Sequence, residues 1–373
     1  MTAQGSPDPA SAAAPPSRRS ALLRTGFILA VLFVVFAVII PRYVDYEEVL
    51  EAFQELSLAQ FALISVLGLV AWFVAGQLFT ALVAGLSMVR GMTAFVILSG
   101  IGASVPFGPW NMGVVWVVIR GWGIASQPAT AGVALYGVMN QLGRLAMPLV
   151  GLLVLIATGE LARDTSGTAL FLAVLSTVIF VIASLVIVAI VRSDRLADSL
   201  GRAGGRTMNW TLARFGRHER PDVSAAIHRF RDQFGEVLHR RGLVALGVAI
   251  GSQVIWSFVL VVALRLCGVP ETALSPADIV AVFALVTAIT IIPLSPGGAG
   301  VPELLYIAGL TTIAGAHWES AITAGVFLFR LYQWFLPIPI AWILLKLVRR
   351  GRPMLPTTVE LRSMADGSPV PEG

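Results

Sequence analysis

The chain has 373 residues, of which 57% are hydrophobic and 13% charged, against about 25% charged in an average soluble domain. With a mean hydropathy of +0.83 and a single cysteine, Cys267, soluble globules, disorder and a disulfide scaffold are excluded, and an all-α polytopic membrane protein is expected. The net charge of +5 is local: Arg192 to Arg241 holds 11 Arg and 6 acids while the rest balances 15 against 15, so the basic pI reflects one cytoplasmic loop rather than a nucleic-acid surface.

Residues 1–20 are rich in Ala, Ser and Pro and read as a disordered tail. Residues 21–40 form an apolar run long enough to cross about 30 Å of hydrocarbon. No small-x-small cleavage site precedes Pro41-Arg42-Tyr43, so this is an uncleaved span whose start is held inside by Arg18, Arg19 and Arg24. Residues 45–56 carry Glu47, Glu51 and Glu55 on one helix face. A cation site there is an alternative, but the solvated face of a short external helix is the simpler reading. Residues 58–84 are a second span, ending at Arg90.

Residues 93–119 break at Pro106-Phe107-Gly108-Pro109 into two arms, each too short to cross. One kinked span and a re-entrant hairpin both fit that pattern. Residues 127–157 and 168–191 are full spans. The basic loop 192–241 follows, with an amphipathic helix at 222–241 placed on anionic inner-leaflet lipids; a protein-binding helix is the alternative. Span 242–266 precedes a second broken element, apolar at 278–292 and 304–314 around Pro293 to Glu303. Span 319–345 ends in Lys346, Arg349, Arg350 and Arg352, and residues 351–373 form a polar, disordered tail.

Placing every basic cluster inside gives one consistent topology. It has six full transmembrane helices, both termini in the cytoplasm, and two opposed re-entrant hairpins, with 21–350 as one transmembrane domain. Thr130-Ala131-Gly132-Val133 matches Thr323-Ala324-Gly325-Val326 at an offset of 193. The match sits on the same hairpin–turn–span unit twice, in opposite orientation, as in inverted-repeat transporters.

Few polar groups lie in the apolar segments. The Ser295-to-Gly300 turn precedes a half-helix whose positive end suits a phosphate or carboxylate, with Ser295, Gly297, Gly298 and Gly300 exposing polar backbone. Arg144 and Arg330 lie mid-span, each after a hairpin, and their forked donors suit a phosphate. Glu303 pairs with one of them, either as part of the site or as a packing lock. Asn111 and Trp334 are further lining candidates. Arg120 reads as an interfacial residue and Cys267 as a packing residue. The four histidines have no metal-ligand spacing, and no catalytic triad, Walker motif or carboxylate pair occurs, so neither cofactor nor enzyme chemistry is expected.

The run Pro-x-x-Pro-Gly-Gly-x-Gly-x-x-Glu at 293–303, followed by Arg330-x-x-x-Trp334-x-x-Pro337, resembles the second half of the lysylphosphatidylglycerol synthase transmembrane region family. The first hairpin departs from that family's Pro-x-x-x-Gly-Glu type signature: Pro106 to Asn111 contains no glutamate. The resemblance implies a bacterial or archaeal plasma-membrane flippase moving anionic or phosphate-bearing lipids, such as phospholipid, aminoacyl-lipid or polyprenyl-phosphate-linked species. Residues 351–373 are too few for an acyltransferase fold, so aminoacyl-lipid synthesis is not expected. A transporter of a small anionic solute and a membrane assembly or regulatory protein remain alternatives, and a homo-oligomer is compatible with each.

Overall fold

The computed structural model describes residues 54, 56–104, 110–159, 223–291, 298 and 300–350, with isolated positions between 174 and 185. The expected first span, the acidic stretch up to residue 53, most of 168–191, the basic loop before residue 223 and both tails lie outside the described residues. Every regular element among the described residues is helical.

Helix α1 is Leu58–Leu82. Ser57 and Gln60 start it with a reciprocal capping box, each side chain meeting the other's backbone N–H. Then follow α2 (Met88–Ser104), α3 (Trp110–Gly121) and α4 (Ser126–Ala157). Helix α5 is Val223–Leu266 and α6 is Pro276–Ile289, the latter started by a Ser275/Asp278 capping box. Helix α7 is Val301–Ala314 and α8 is Glu319–Arg330. A single π turn, Leu331–Phe335, then joins α8 to α9, Pro337–Val348.

Among the described residues four stretches are long and apolar enough to cross a membrane: Leu58–Leu82, Ser126–Ala157, His239–Leu266 and Ala316–Val348. They coincide with four of the six expected spans; the other two fall on undescribed residues. Helices α2, α3, α6 and α7 have 17, 12, 14 and 14 residues, which is about 18–26 Å at 1.5 Å per residue. They are the arms of the two broken elements. Helix α2 packs on α3, and α6 on α7.

A helix begins at Val223, as expected at 222–241, and it is continuous with the following span: α5 runs unbroken for 44 residues. No proline occurs between Pro221 and Pro270, and a change of polarity alone does not end a helix.

Glycines let the helices approach closely around α4. A Cβ on Gly143 would lie 2.9 Å from the Ala249 backbone of α5, and one on Gly151 would lie 3.2–3.3 Å from Ala284 and Ala281 of α6. These contacts fix directions. Along α4 from Arg144 to Gly151, the partners on α6 run backwards from Thr287 and Thr290 to Ala281. Helix α3 is also antiparallel to α4: Trp116 Nε1 donates to Thr130 Oγ1 at 2.9 Å, and Met112 reaches Gly137. The two helix pairs therefore advance from opposite ends of α4, and their tips converge on its middle, between residues 137 and 144.

Candidate functional site

Where the tips converge there is a cavity of about 510 Å³. That is the size range of small-ligand pockets. Its walls come from α2 (Leu98, Ser99, Gly102), α3 (Asn111, Met112), α4 (Tyr136, Asn140, Arg144), the second tip (Thr290, Gly298, Val301, Pro302) and the π turn (Gln333, Trp334).

Arg144 is the cation in this wall. Its Nη2 donates to Thr290 Oγ1 at 2.7 Å and to the Thr287 carbonyl at 3.2 Å. Both acceptors lie at the C-terminal end of α6, where unsatisfied carbonyls carry partial negative charge. Among the described residues these partners are a hydroxyl and a carbonyl, not a carboxylate. Pro148, one turn on, has no N–H to offer the Arg144 carbonyl, so the α4 ladder is open at this residue.

Arg330 is arranged differently. Its Nε donates to Glu303 Oε1 at 2.6 Å, Nη1 to Gln333 Oε1 at 2.7 Å, and Nη2 to the Gly298 carbonyl at 2.8 Å. Both charges of the pair are buried, with side chains 6% and 1% exposed. Glu303 also accepts the Gly300 N–H through Oε2 at 2.8 Å. The carboxylate thus sits on the positive end of its own helix α7. Three expectations are sharpened here. The Gly300 N–H is already given to Glu303 and is not offered to the cavity. The α7 N-terminus, expected to receive an external anion, is met by the protein's own carboxylate. Glu303 pairs with Arg330 and not with Arg144.

Gly298 and Gly300 have φ of +76° and +88°, a region costly for residues with a Cβ. That is why glycine stands at these turns of the second tip. Gly298 lines the cavity, but its carbonyl is turned to Arg330. Asn111 lines it too; its Oδ1 accepts the Met112 N–H at 2.9 Å and its amide reaches the Leu98 carbonyl at 3.5 Å. Trp334 lines it with the Arg330 guanidinium 5.7 Å from its ring centroid. Ser295 and Gly297 lie outside the described residues.

The π turn decides which side chains reach the cavity. The Leu336 N–H bonds back to the Leu331 carbonyl at 2.8 Å, skipping that of Tyr332. Trp72 Nε1 of α1 takes the carbonyl so released, at 2.8 Å, and Ser65 holds the Tyr332 hydroxyl at 2.6 Å. Tyr332 is thereby anchored on α1 while Gln333 and Trp334 turn inward.

Asn140, read from the sequence as a polar residue at depth that suits an interhelical hydrogen bond as well as a ligand contact, lines the cavity, whereas Ser99, Tyr136, Thr290 and Gln333 were not singled out. Asn140 had a usable signal, being one turn before Arg144 on the same face. Thr290 and Tyr136 had none, since only tertiary contact brings them in. Arg120 and Arg265 tie turns rather than the cavity: Arg120 donates to the Ile124 carbonyl, and Arg265 to those of Val269 and Leu274. Among the described residues no group of three His, Cys, Asp or Glu comes together to hold a metal.

No protein-family model matches the chain, and no curated protein matches it.

Proposed function

We propose that the chain is a plasma-membrane lipid translocase that carries an anionic, phosphate-bearing headgroup between leaflets through this cavity. The observation that carries the reading is a cavity walled by the tips of two helix pairs advancing from opposite ends of α4, with the Arg144 guanidinium in its wall. Arms this short do not cross the hydrocarbon, and broken helices meeting near the midplane around a fixed site are a transporter design. In this reading the pairs are opposed re-entrant hairpins within six spans, the basic loop faces the cytoplasm, and the lipid tails stay in the bilayer. Asn111, Gly298 and Trp334 contact the headgroup beside Arg144, while Arg330 and Glu303 hold the second tip.

An inverted repeat is part of the same proposal. The 193-residue offset carries the last residue of α3, Gly121, onto the last of α7, Ala314, and the first of α4, Ser126, onto the first of α8, Glu319. Membership of the lysylphosphatidylglycerol synthase transmembrane region family is likewise proposed on the motif at 293–303 and the Arg330-to-Pro337 pattern alone.

The test is transport by the full chain in liposomes carrying fluorescent phospholipids, read as the fraction that becomes accessible to an impermeant quencher. Wild type accelerates exchange of anionic lipids and Arg144→Gln loses most of that acceleration. If Arg144→Gln moves every lipid as fast as wild type, the reading is wrong. Flux of a water-soluble anion without lipid exchange would establish the solute-transporter alternative in its place.

A further inference from the structure

Among the described residues the cavity has one cation in its wall and no anion. No Asp or Glu occurs between Glu55 and Glu160, which covers α1 to α4 and the first tip. Between Asp278 and Glu319 there is one acid, Glu303. Both of its oxygens are engaged, one by Arg330 and one by the Gly300 N–H. The tip residues 105–109 and 292–297 are Val-Pro-Phe-Gly-Pro and Ile-Pro-Leu-Ser-Pro-Gly, without a charge. No carboxylate from either tip is available to receive an ammonium group.

Aromatic faces are the other means of holding an ammonium. Of the three rings that line the cavity, Phe95, Tyr136 and Trp334, the last two are engaged. The Trp334 ring already has the Arg330 guanidinium over it, and Tyr136 is stacked on Phe79 with centroids 4.0 Å apart. What remains is neutral: the Asn140 and Gln333 carboxamides and the Ser99 hydroxyl, which exchange hydrogen bonds with hydroxyl groups as readily as with water.

We infer that this cavity selects a monoanionic phosphodiester bearing an uncharged polyol or sugar, and rejects headgroups bearing an amine. Arg144 takes the single phosphodiester charge, and the carboxamides take the hydroxyls. An ammonium group meets the like charge of Arg144, loses its hydration and finds no counter-ion. The inference deepens the proposed translocation by naming its substrate class, and it rests on that reading only for the lipid as the source of the headgroup.

Binding to the purified full chain in an uncharged detergent tests it. The probes are dioctanoyl phosphatidylglycerol, dioctanoyl phosphatidylethanolamine, dioctanoyl lysyl-phosphatidylglycerol and the soluble diester glycerophosphoglycerol. The expected order has phosphatidylglycerol about tenfold or more tighter than either amine-bearing lipid, the scale of one charge-assisted hydrogen bond. Arg144→Gln loses that preference. Asn140→Asp, which sets a carboxylate one turn from Arg144, loses it too without removing the arginine. The unliganded melting temperature shows that both variants are folded. Equal or tighter binding of an amine-bearing lipid by wild type overturns the inference, as does an unchanged preference in both variants. Tight binding of glycerophosphoglycerol assigns the selected diester to a soluble ligand, and binding of the lipid alone assigns it to a headgroup; either supports the selection. In liposomes, absence of lipid exchange with the binding order intact refutes translocation alone. Exchange of phosphatidylethanolamine as fast as phosphatidylglycerol refutes the selection alone.

Discussion

Replacing Glu303 by Gln removes one charge from a buried pair and leaves its shape in place. The Gln side chain can still accept the Gly300 N–H, so the start of α7 survives. What is lost is the 2.6 Å charge-assisted bond to Arg330, and Arg330 is left buried with only a carbonyl and a carboxamide as partners. Removing one member of such a pair costs about 3–5 kcal/mol, most of it the uncompensated charge. Arg330→Gln should cost at least as much, because Glu303 then stays charged while the Gly298 carbonyl loses its guanidinium donor. The double variant leaves no buried charge and should recover about 2 kcal/mol relative to the sum of the singles. Denaturant unfolding of the full chain in detergent, followed by tryptophan fluorescence, measures all three. Additive losses, or a Glu303→Gln protein as stable as wild type, would refute the assignment of this pair to holding the second tip.

Other substitutions follow from local geometry. A methyl on Gly100 would overlap the Pro337 carbonyl and the Ala341 side chain, so Gly100→Ala should cost about 1–3 kcal/mol by overpacking, seen as a lower unfolding midpoint. Gly298→Ala meets nothing within 4 Å and pays only for its φ of +76°; a loss of about 1–2 kcal/mol is expected, with Gly298→Asn costing less. Burial pushes the Cys267 thiol up to about 12. Its thiolate fraction should therefore rise about tenfold per pH unit across pH 7–9, and maleimide labelling of the native chain should be slow at pH 7 and accelerate in step. Stoichiometric labelling within minutes at pH 7 would contradict the burial.

The broken elements were legible because proline and glycine interrupt apolar runs already too short to cross, a local property of 93–119 and 278–314. The four described spans were legible for the same reason: length and apolarity are local. Glu303 was visible as a partner for one of two arginines, but the choice between them was not. Arg330 is 27 positions away and Arg144 is 159, and only the fold brings one of them to 2.6 Å. The anchoring of Arg144 at the end of α6 was likewise hidden, since its partners lie 143 and 146 residues away. The π turn was invisible because nothing between Arg330 and Pro337 forbids an ordinary helix; the Trp72 bond to the released Tyr332 carbonyl rewards the irregular one. Continuity of α5 was missed for the opposite reason. Basic residues beside an apolar run were read as a change of element, when no residue there stops a helix.

The two mid-span arginines differ in how their charge is met. Arg330 has a carboxylate, a carboxamide and a carbonyl, and is left with little to offer a ligand. Arg144 has a hydroxyl and a helix-end carbonyl. A guanidinium at the centre of a span costs about 2.5–3.5 kcal/mol or more, and a helix C-terminus returns about 0.3–1 kcal/mol, up to about 2 in partly buried settings. A deficit of about 1–3 kcal/mol therefore remains, relieved by water in the cavity or by an anion. Replacing Arg144 by an uncharged residue that keeps one hydrogen bond removes that deficit. Arg144→Gln should accordingly be as stable as wild type without ligand, while losing the stabilisation that a bound anion gives wild type. If Arg144→Gln were destabilised as much as Arg330→Gln, the two arginines would share one structural role and the cavity would lose its case as a binding site.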